Sequence, residues 1–160
     1  MQRLIIALLL LTVLSGVALA QTPIIGIYAD HDAVLCEANV TQYMSVEVYL
    51  LAVLPTAVPA ITACEFRIDN LPTDAMALKT YMWNTDLVIG SADYGIALSF
   101  SPPQSGPYAY LGSISFFPLT ILPNDFHMEI MASLDSGNLV VVDLEYNEIP
   151  CEPHRCFTFN

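Results

Sequence analysis

Asp125-Phe126-His127-Met128-Glu129-Ile130-Met131-Ala132-Ser133-Leu134-Asp135 is the stretch on which the fold turns. Phe126, Met128, Ile130, Ala132 and Leu134 take alternate positions, and Asp125, His127, Glu129, Ser133 and Asp135 fill most of those between. Strand side chains alternate between two faces, whereas a helix repeats every ~3.6 residues, so this pattern makes a half-buried strand and gives a helix no consistent apolar stripe. Ser136-Gly137-Asn138 then supplies turn chemistry, and Val140, Val142, Leu144 and Tyr146 alternate with Val141, Asp143, Glu145 and Asn147. The two runs are predicted to form a hairpin, with Phe126, Met128, Ile130 and Leu134 facing the core beside Val140, Val142 and Leu144.

The same period recurs upstream. Thr62, Cys64, Phe66 and Ile68 are expected inward and Ala63, Glu65, Arg67 and Asp69 outward. Met44, Val46 and Val48 alternate with Ser45, Glu47 and Tyr49, after which Leu50 to Leu54 is continuously apolar, as in a strand covered on both faces. Further strands are expected at Ile24 to Ala29, Leu87 to Gly90, Gly95 to Phe100, Tyr108 to Phe117 and Cys156 to Phe159. Ser101-Pro102-Pro103-Gln104-Ser105-Gly106-Pro107 is expected to connect strands, and Thr73 to Lys79 to form a short helical turn capped by Thr73 or Asp74. About eight or nine short strands separated by turn signals predict an all-β, antiparallel two-sheet sandwich, with a β-barrel as the alternative closure.

The first twenty residues bear on compartment. Arg3, the apolar run Leu4 to Leu14 and the small residues Ala18-Leu19-Ala20 form the pattern of a cleavable signal peptide (1–20), so the mature chain is expected to begin at Gln21 and to fold as one domain over 21–160. The expected location is secreted, periplasmic or at the cell surface. No later run of about eighteen apolar residues occurs, so no transmembrane segment is expected in the mature chain. Only 12% of the chain is charged, and removing Arg3 moves the formal charge from −12 to −13, leaving Arg67, Lys79 and Arg155 as the basic side chains. A chain so acidic repels polyanions, which argues against nucleic acid and anionic lipid as partners.

Four cysteines in an exported chain are expected to form two disulfides, and three pairings exist. Cys151 and Cys156 flank the short Glu-Pro-His-Arg insert and close easily, which leaves Cys36 with Cys64. The competing arrangement is a zinc site from Cys151, His154 and Cys156, which lacks an evident fourth ligand.

Ile61-Thr62-Ala63-Cys64-Glu65-Phe66-Arg67-Ile68, then Tyr110-Leu111-Gly112-Ser113-Ile114-Ser115-Phe116 and a closing acidic hairpin, are similar in order and texture to cohesin-like, immunoglobulin-like β-sandwich modules. Ile25-Gly26-Ile27-Tyr28-Ala29-Asp30 and the cysteines resemble those of small exported bacterial proteins of unknown function. The resemblance covers most of the mature chain and implies a fold. Cohesin modules bind a partner module, and no recognition residue of theirs carries over to a particular position here.

Candidate chemistry is sparse. Asp30-His31-Asp32 brings together two carboxylates, Asp30 and Asp32, that are able to approach one hard cation, but no regular calcium-loop series follows, and a solvated loop explains the cluster better. No nucleophile elbow or zinc-protease helix is present. Asp143 and Glu145 would share a strand face and could serve an acidic hydrolase; as outward charges they also keep a sheet soluble. Tyr81, Trp83, Tyr94, Tyr108 and Tyr110 offer stacking surface to a glycan or an extracellular protein, or fill the core. Asn39-Val40-Thr41 matches a glycosylation acceptor and carries no functional weight. The composite expectation is a non-enzymatic exported module that acts by binding or assembly and needs no cofactor. The alternatives are a small secreted hydrolase using acidic residues and a structural subunit joined through edge strands.

Overall fold

A computed structural model describes residues 21–155 and 157–160; the expected leader with its cleavage site after Ala20, and Cys156, lie outside the described residues. No α-helix occurs among the described residues, and none is long and apolar enough to cross a membrane. In chain order the strands are β1 (Ile24–Tyr28), β2 (Glu37–Ala38), β3 (Val46–Val53), β4 (Ala60–Asp69), β5 (Ala77–Trp83), β6 (Leu87–Ser91) and β7 (Gly95–Ser105). They continue with β8 (Tyr108–Pro118), β9 (Phe126–His127), β10 (Glu129–Met131), β11 (Val140–Val142), β12 (Glu148–Pro150), β13 (Glu152–Pro153) and β14 (Thr158–Phe159).

One sheet runs β13-β1-β3-β8-β5 and the other β12-β11-β4-β7-β6, with β10 also on β4; β2-β14-β9 forms a small third sheet. The two large sheets share one apolar cluster. Ile25, Ile27, Val48, Leu50, Leu111, Ile114 and Phe116 come from the first, and Ile61, Cys64, Phe66, Ile68, Ile96, Leu98, Ile130 and Val141 from the second. Each fully buried Ile, Leu or Phe in such a cluster contributes about 1.5–3 kcal/mol of transfer free energy. Both sheets end in open edges, so the architecture is the sandwich and not the barrel. The strand segments outnumber the expected eight or nine because the two- and three-residue pieces β2 and β9 to β14 add to the long strands, and β5 forms where a helical turn was expected.

The expected hairpin does not form. β10 and β11 both lie antiparallel to β4 along the same edge, β10 opposite Asp69 to Arg67 and β11 opposite Glu65 to Ala63. The intervening loop leaves that edge and returns to it, pinned by Ser133 N–H donating to Asn138 O (2.8 Å) and Leu134 N–H donating to Tyr94 O (2.8 Å). Because the loop resets the alternation, Ser133 is buried and Leu134 exposed, and Val141 points inward while Val140 and Val142 point outward, opposite to expectation. A shift of one residue turns every side chain of a strand over. The hairpin is one turn later: β11 pairs β12 across Asp143 to Asn147.

Three smaller differences have the same origin. Cys64, Phe66 and Ile68 are inward as expected, but a register shift between Ile61 and Ala63 puts Ile61, not Thr62, in the core. Thr73 to Lys79 holds a single turn, with Met76 and Ala77 N–H groups donating to Thr73 O, and then becomes the edge strand β5, whose pairing with β8 outweighs local helix propensity. Ser101 to Ser105 continues β7, which leaves only Gly106-Pro107 as the connection to β8.

The cysteine pairings are also corrected. Cys64 and Cys151 are free thiols, so neither Cys36–Cys64 nor Cys151–Cys156 is bridged; Cys36 is disulfide-bonded. Cys64 faces the core from β4, whereas the Cys36 Sγ lies 4.0 Å from His154 Nδ1, whose ring stacks on Tyr28 on the other side of β1. Cys64 pairs with Val141 and Cys151 N–H donates to Leu139 O, so the line of β11 separates the two thiols. Two inter-strand spacings, about 10 Å, separate their backbones. A disulfide spans Cα atoms no more than about 7 Å apart, so both remain thiols.

Candidate functional site

The outward face of the β12-β11-β4-β7-β6 sheet is built from two cross-strand rows. Leu87, Ser99, Ala63, Val142 and Glu148 stand side by side on successive strands, and Ile89, Ala97, Glu65, Val140 and Pro150 form the next row. In each row the middle residues on β7 and β4 are mostly small, whereas β6 and β11 carry branched apolar side chains. The result is a trough with a low floor of Ala63, Ala97 and Ser99, and walls of Leu87 and Ile89 on one side and Val140 and Val142 on the other. Its hollow measures about 170 Å³. Leu87 is 57% exposed and Ile89 67%, so the β6 wall stands in water. Glu65 lies in the floor and accepts a 2.6 Å hydrogen bond from Ser136 Oγ.

Beyond the Leu87–Ser99 pair, where the chain crosses from β5 of one sheet to β6 of the other, lies a polar cleft of about 690 Å³ lined by Trp83, Asn84, Asp86, Ser101 and Gln104 among others. Asn84 Nδ2 donates to Gln104 Oε1 (2.8 Å) and to Tyr110 O (3.0 Å), and Gln104 Nε2 donates to Pro102 O (3.2 Å). The Trp83 ring stacks on Tyr81 (5.7 Å between centroids, 14° between planes) and meets Phe66 edge-on at 6.3 Å. Gly112 makes room for it: a Cβ there would sit 2.8 Å from the indole Cε3 and 2.7 Å from Met82 O. Burial, with Asp93 and Asp74 nearby, raises the Tyr81 pKa.

The aromatic residues singled out by sequence divide between places. Tyr81 and Trp83 form one pair on β5; Tyr110 joins His31 (5.6 Å) on the outer face of that same sheet, where His31 also packs on Tyr49 (3.9 Å). Tyr94 projects from the β6–β7 turn, and Tyr108 starts β8, both exposed. Beside the His31 cluster, the fully buried Ser113 hydroxyl donates to Glu47 Oε1 at 2.7 Å. Tyr49, which also donates to Glu47, has its pKa raised by burial first and then by that carboxylate.

Asp30 Oδ1 accepts the backbone N–H groups of Val34 (3.0 Å) and Leu35 (3.2 Å), so one oxygen of that carboxylate organises its own loop, and Asp32 follows in the same turn. Among the described residues no group of three or more His, Cys, Asp or Glu is arranged around a common metal position. Asp143 caps the β11–β12 turn by accepting from Asn147 Nδ2 (3.0 Å), Asn147 N–H (2.8 Å) and Glu145 N–H (2.9 Å), and those bonds lower its pKa. Because β11 ends at Val142, Asp143 and Glu145 share no strand face. Burial lowers the His154 pKa, and His127 Nε2 lies 2.9 Å from Glu129 Oε1.

Sequence reasoning passed over the trough. Leu87-Val88-Ile89 looks like a buried run, and only the pairing with β7 shows that Val88 turns inward while Leu87 and Ile89 do not.

No protein-family profile and no curated protein sequence matches the chain. Solved structures do match in fold. A cohesin module from a family 33 glycoside hydrolase of Clostridium perfringens superposes with a TM-score of 0.55 at 10% identity, covering 88% of this chain and 98% of the module. CaCohA2 of Clostridium acetobutylicum, in its complex with CaDoc0917, superposes with a TM-score of 0.53 at 13% identity, covering 87% of this chain and all of that one. The fold is a cohesin-like β-sandwich.

Proposed function

We propose that the protein is an exported, non-enzymatic module that binds a protein partner along the β6-β7-β4-β11 trough. The carrying observation is the pair of apolar walls on an otherwise small-residue floor, since an outward sheet face needs neither for solubility. The walls belong to strands three inter-strand spacings apart, about 14 Å. An α-helix with its side chains is about 10–12 Å across, so one amphipathic helix fits lengthwise. Glu65 in the floor favours a Lys, Arg or hydroxyl opposite it, and a basic partner suits a chain of net charge −12. The complex in which CaCohA2 is found is a precedent for partner binding on this fold. Export is supported by the 1–20 pattern and by a disulfide at Cys36, because disulfides persist in oxidising compartments.

The test is affinity capture from the extracellular fraction of the producing organism, using the mature protein, Ile89→Asp, Val140→Asp and a control, Thr80→Asp, on the opposite sheet. A partner captured by the mature protein and by Thr80→Asp, but lost with both trough variants, is the expected result. A partner retained by Ile89→Asp and Val140→Asp refutes the assignment.

A further inference from the structure

The polar cleft next to the trough has a different chemistry. Its lining contains no Lys or Arg and a single carboxylate, Asp86, which excludes phosphate, sulfate and uronate ligands on charge. It is too polar for a lipid chain: hydroxyls and amides from Thr85, Ser99, Ser101, Asn84 and Gln104 share the lining with one indole, Leu87 and Pro102. A flat apolar ring bordered by neutral donors and acceptors complements a molecule with an apolar C–H face and a rim of hydroxyls. We propose that this cleft binds a neutral saccharide, one sugar ring stacked on Trp83 and its hydroxyls held by Asn84, Gln104 and Ser101.

Two features support a formed site. Tyr81 on one side, the edge contact with Phe66 and the close approach to Gly112 hold the indole. The bonds from Asn84 to Gln104 and Tyr110, and from Gln104 to Pro102, fix both amides before a ligand arrives, so little side-chain entropy is lost on binding. The volume, about 690 Å³, lies within the range of small-molecule sites. Saccharide binding here does not rest on partner binding in the trough, although Leu87 and Ser99 border both.

Trp83 is the only tryptophan, so its fluorescence reports on this cleft alone. The mature protein is titrated with cellohexaose, xylohexaose, mannohexaose and chitohexaose, and with hexagalacturonate as the acidic counterpart, following emission and heat. Saturable change with at least one neutral oligosaccharide, and none with hexagalacturonate, is expected. Asn84→Ala and Gln104→Ala should each weaken that binding about tenfold, the scale of a lost hydrogen-bonding side chain at about 1.4 kcal/mol. Ser101→Ala, on an exposed residue, should weaken it without touching the core, and Ile89→Asp should leave it unchanged. The proposal is overturned if none of the four neutral sugars changes the emission, if hexagalacturonate binds best, or if binding survives all three cleft substitutions.

Discussion

Ile130 and Leu134 stand four residues apart in the segment with the clearest alternation, yet the structure gives them opposite surroundings. Ile130 has no exposed surface, pairs with Ile68 on β4 and belongs to the shared core; Leu134 is 57% exposed in the loop between β10 and β11. Ile130→Ala removes three buried carbons, worth about 2.4 kcal/mol at ~0.8 kcal/mol each. The unfilled cavity adds to this, so the expected cost is about 3–4 kcal/mol. Leu134→Ala removes the same number of carbons from a mostly solvated side chain and should cost under about 1 kcal/mol. Urea unfolding followed by tryptophan fluorescence reads both. With a slope of about 2 kcal/mol/M, the Ile130→Ala midpoint falls by about 1.5–2 M and that of Leu134→Ala by less than about 0.5 M. Equal shifts would return Leu134 to the core and refute the loop that separates β10 from β11.

Thiol titration in denaturant without reductant should find two reactive thiols, Cys64 and Cys151; none would mean that these two are bridged, and four would remove the Cys36 disulfide. In the native protein both should alkylate slowly at pH 8, because burial raises the Cys64 pKa well above its ordinary value and that of Cys151 to about 12. Burial, with Tyr108 and Asp30 adding to it, pushes the Tyr28 phenol up to about 12, so the folded state keeps a proton that the unfolded chain releases near 10. Stability should therefore fall as pH rises from about 10 to 12, and Tyr28→Phe should flatten that part of a urea-midpoint profile; an unchanged slope refutes the assignment. The Asp143 carboxylate is shifted the other way, so its turn-capping contribution is present above the unfolded value of about 3.9 and is lost below it as pH falls through the lower folded pKa. Asn147→Ala should raise the Asp143 pKa, measured by carboxyl NMR shifts, and no movement would show that the cap bonds are not its cause.

Period-two alternation in Cys64 to Ile68, Phe126 to Ile130 and Val46 to Val48, with turn residues between runs, determined an all-β fold, because side-chain alternation follows from backbone geometry within a strand, and the open sheet edges decided for a sandwich over a barrel. The continuously apolar Leu50 to Leu54 likewise announced a strand covered on both faces, and Leu50, Leu51 and Ala52 are buried. Alternation carries no information across an interruption. The Ser133 to Asn138 loop and the bulge at Ile61 to Ala63 each reset the faces, and no local signal in Val140-Val141-Val142 tells which of the three valines is inside. Partner strands decided that, since β4 accepts β11 in the one register that seats Val141 in the core. The same pairing built the trough: Leu87 and Ile89 are far in sequence from Val140 and Val142, and they become opposite walls only when β7 and β4 lie between them. The cysteines behaved in the same way. Their number and an export-like leader pointed to disulfides, but whether two sulfurs meet depends on which sheet, which face and which neighbouring strand each occupies, and those are properties of the packed chain alone.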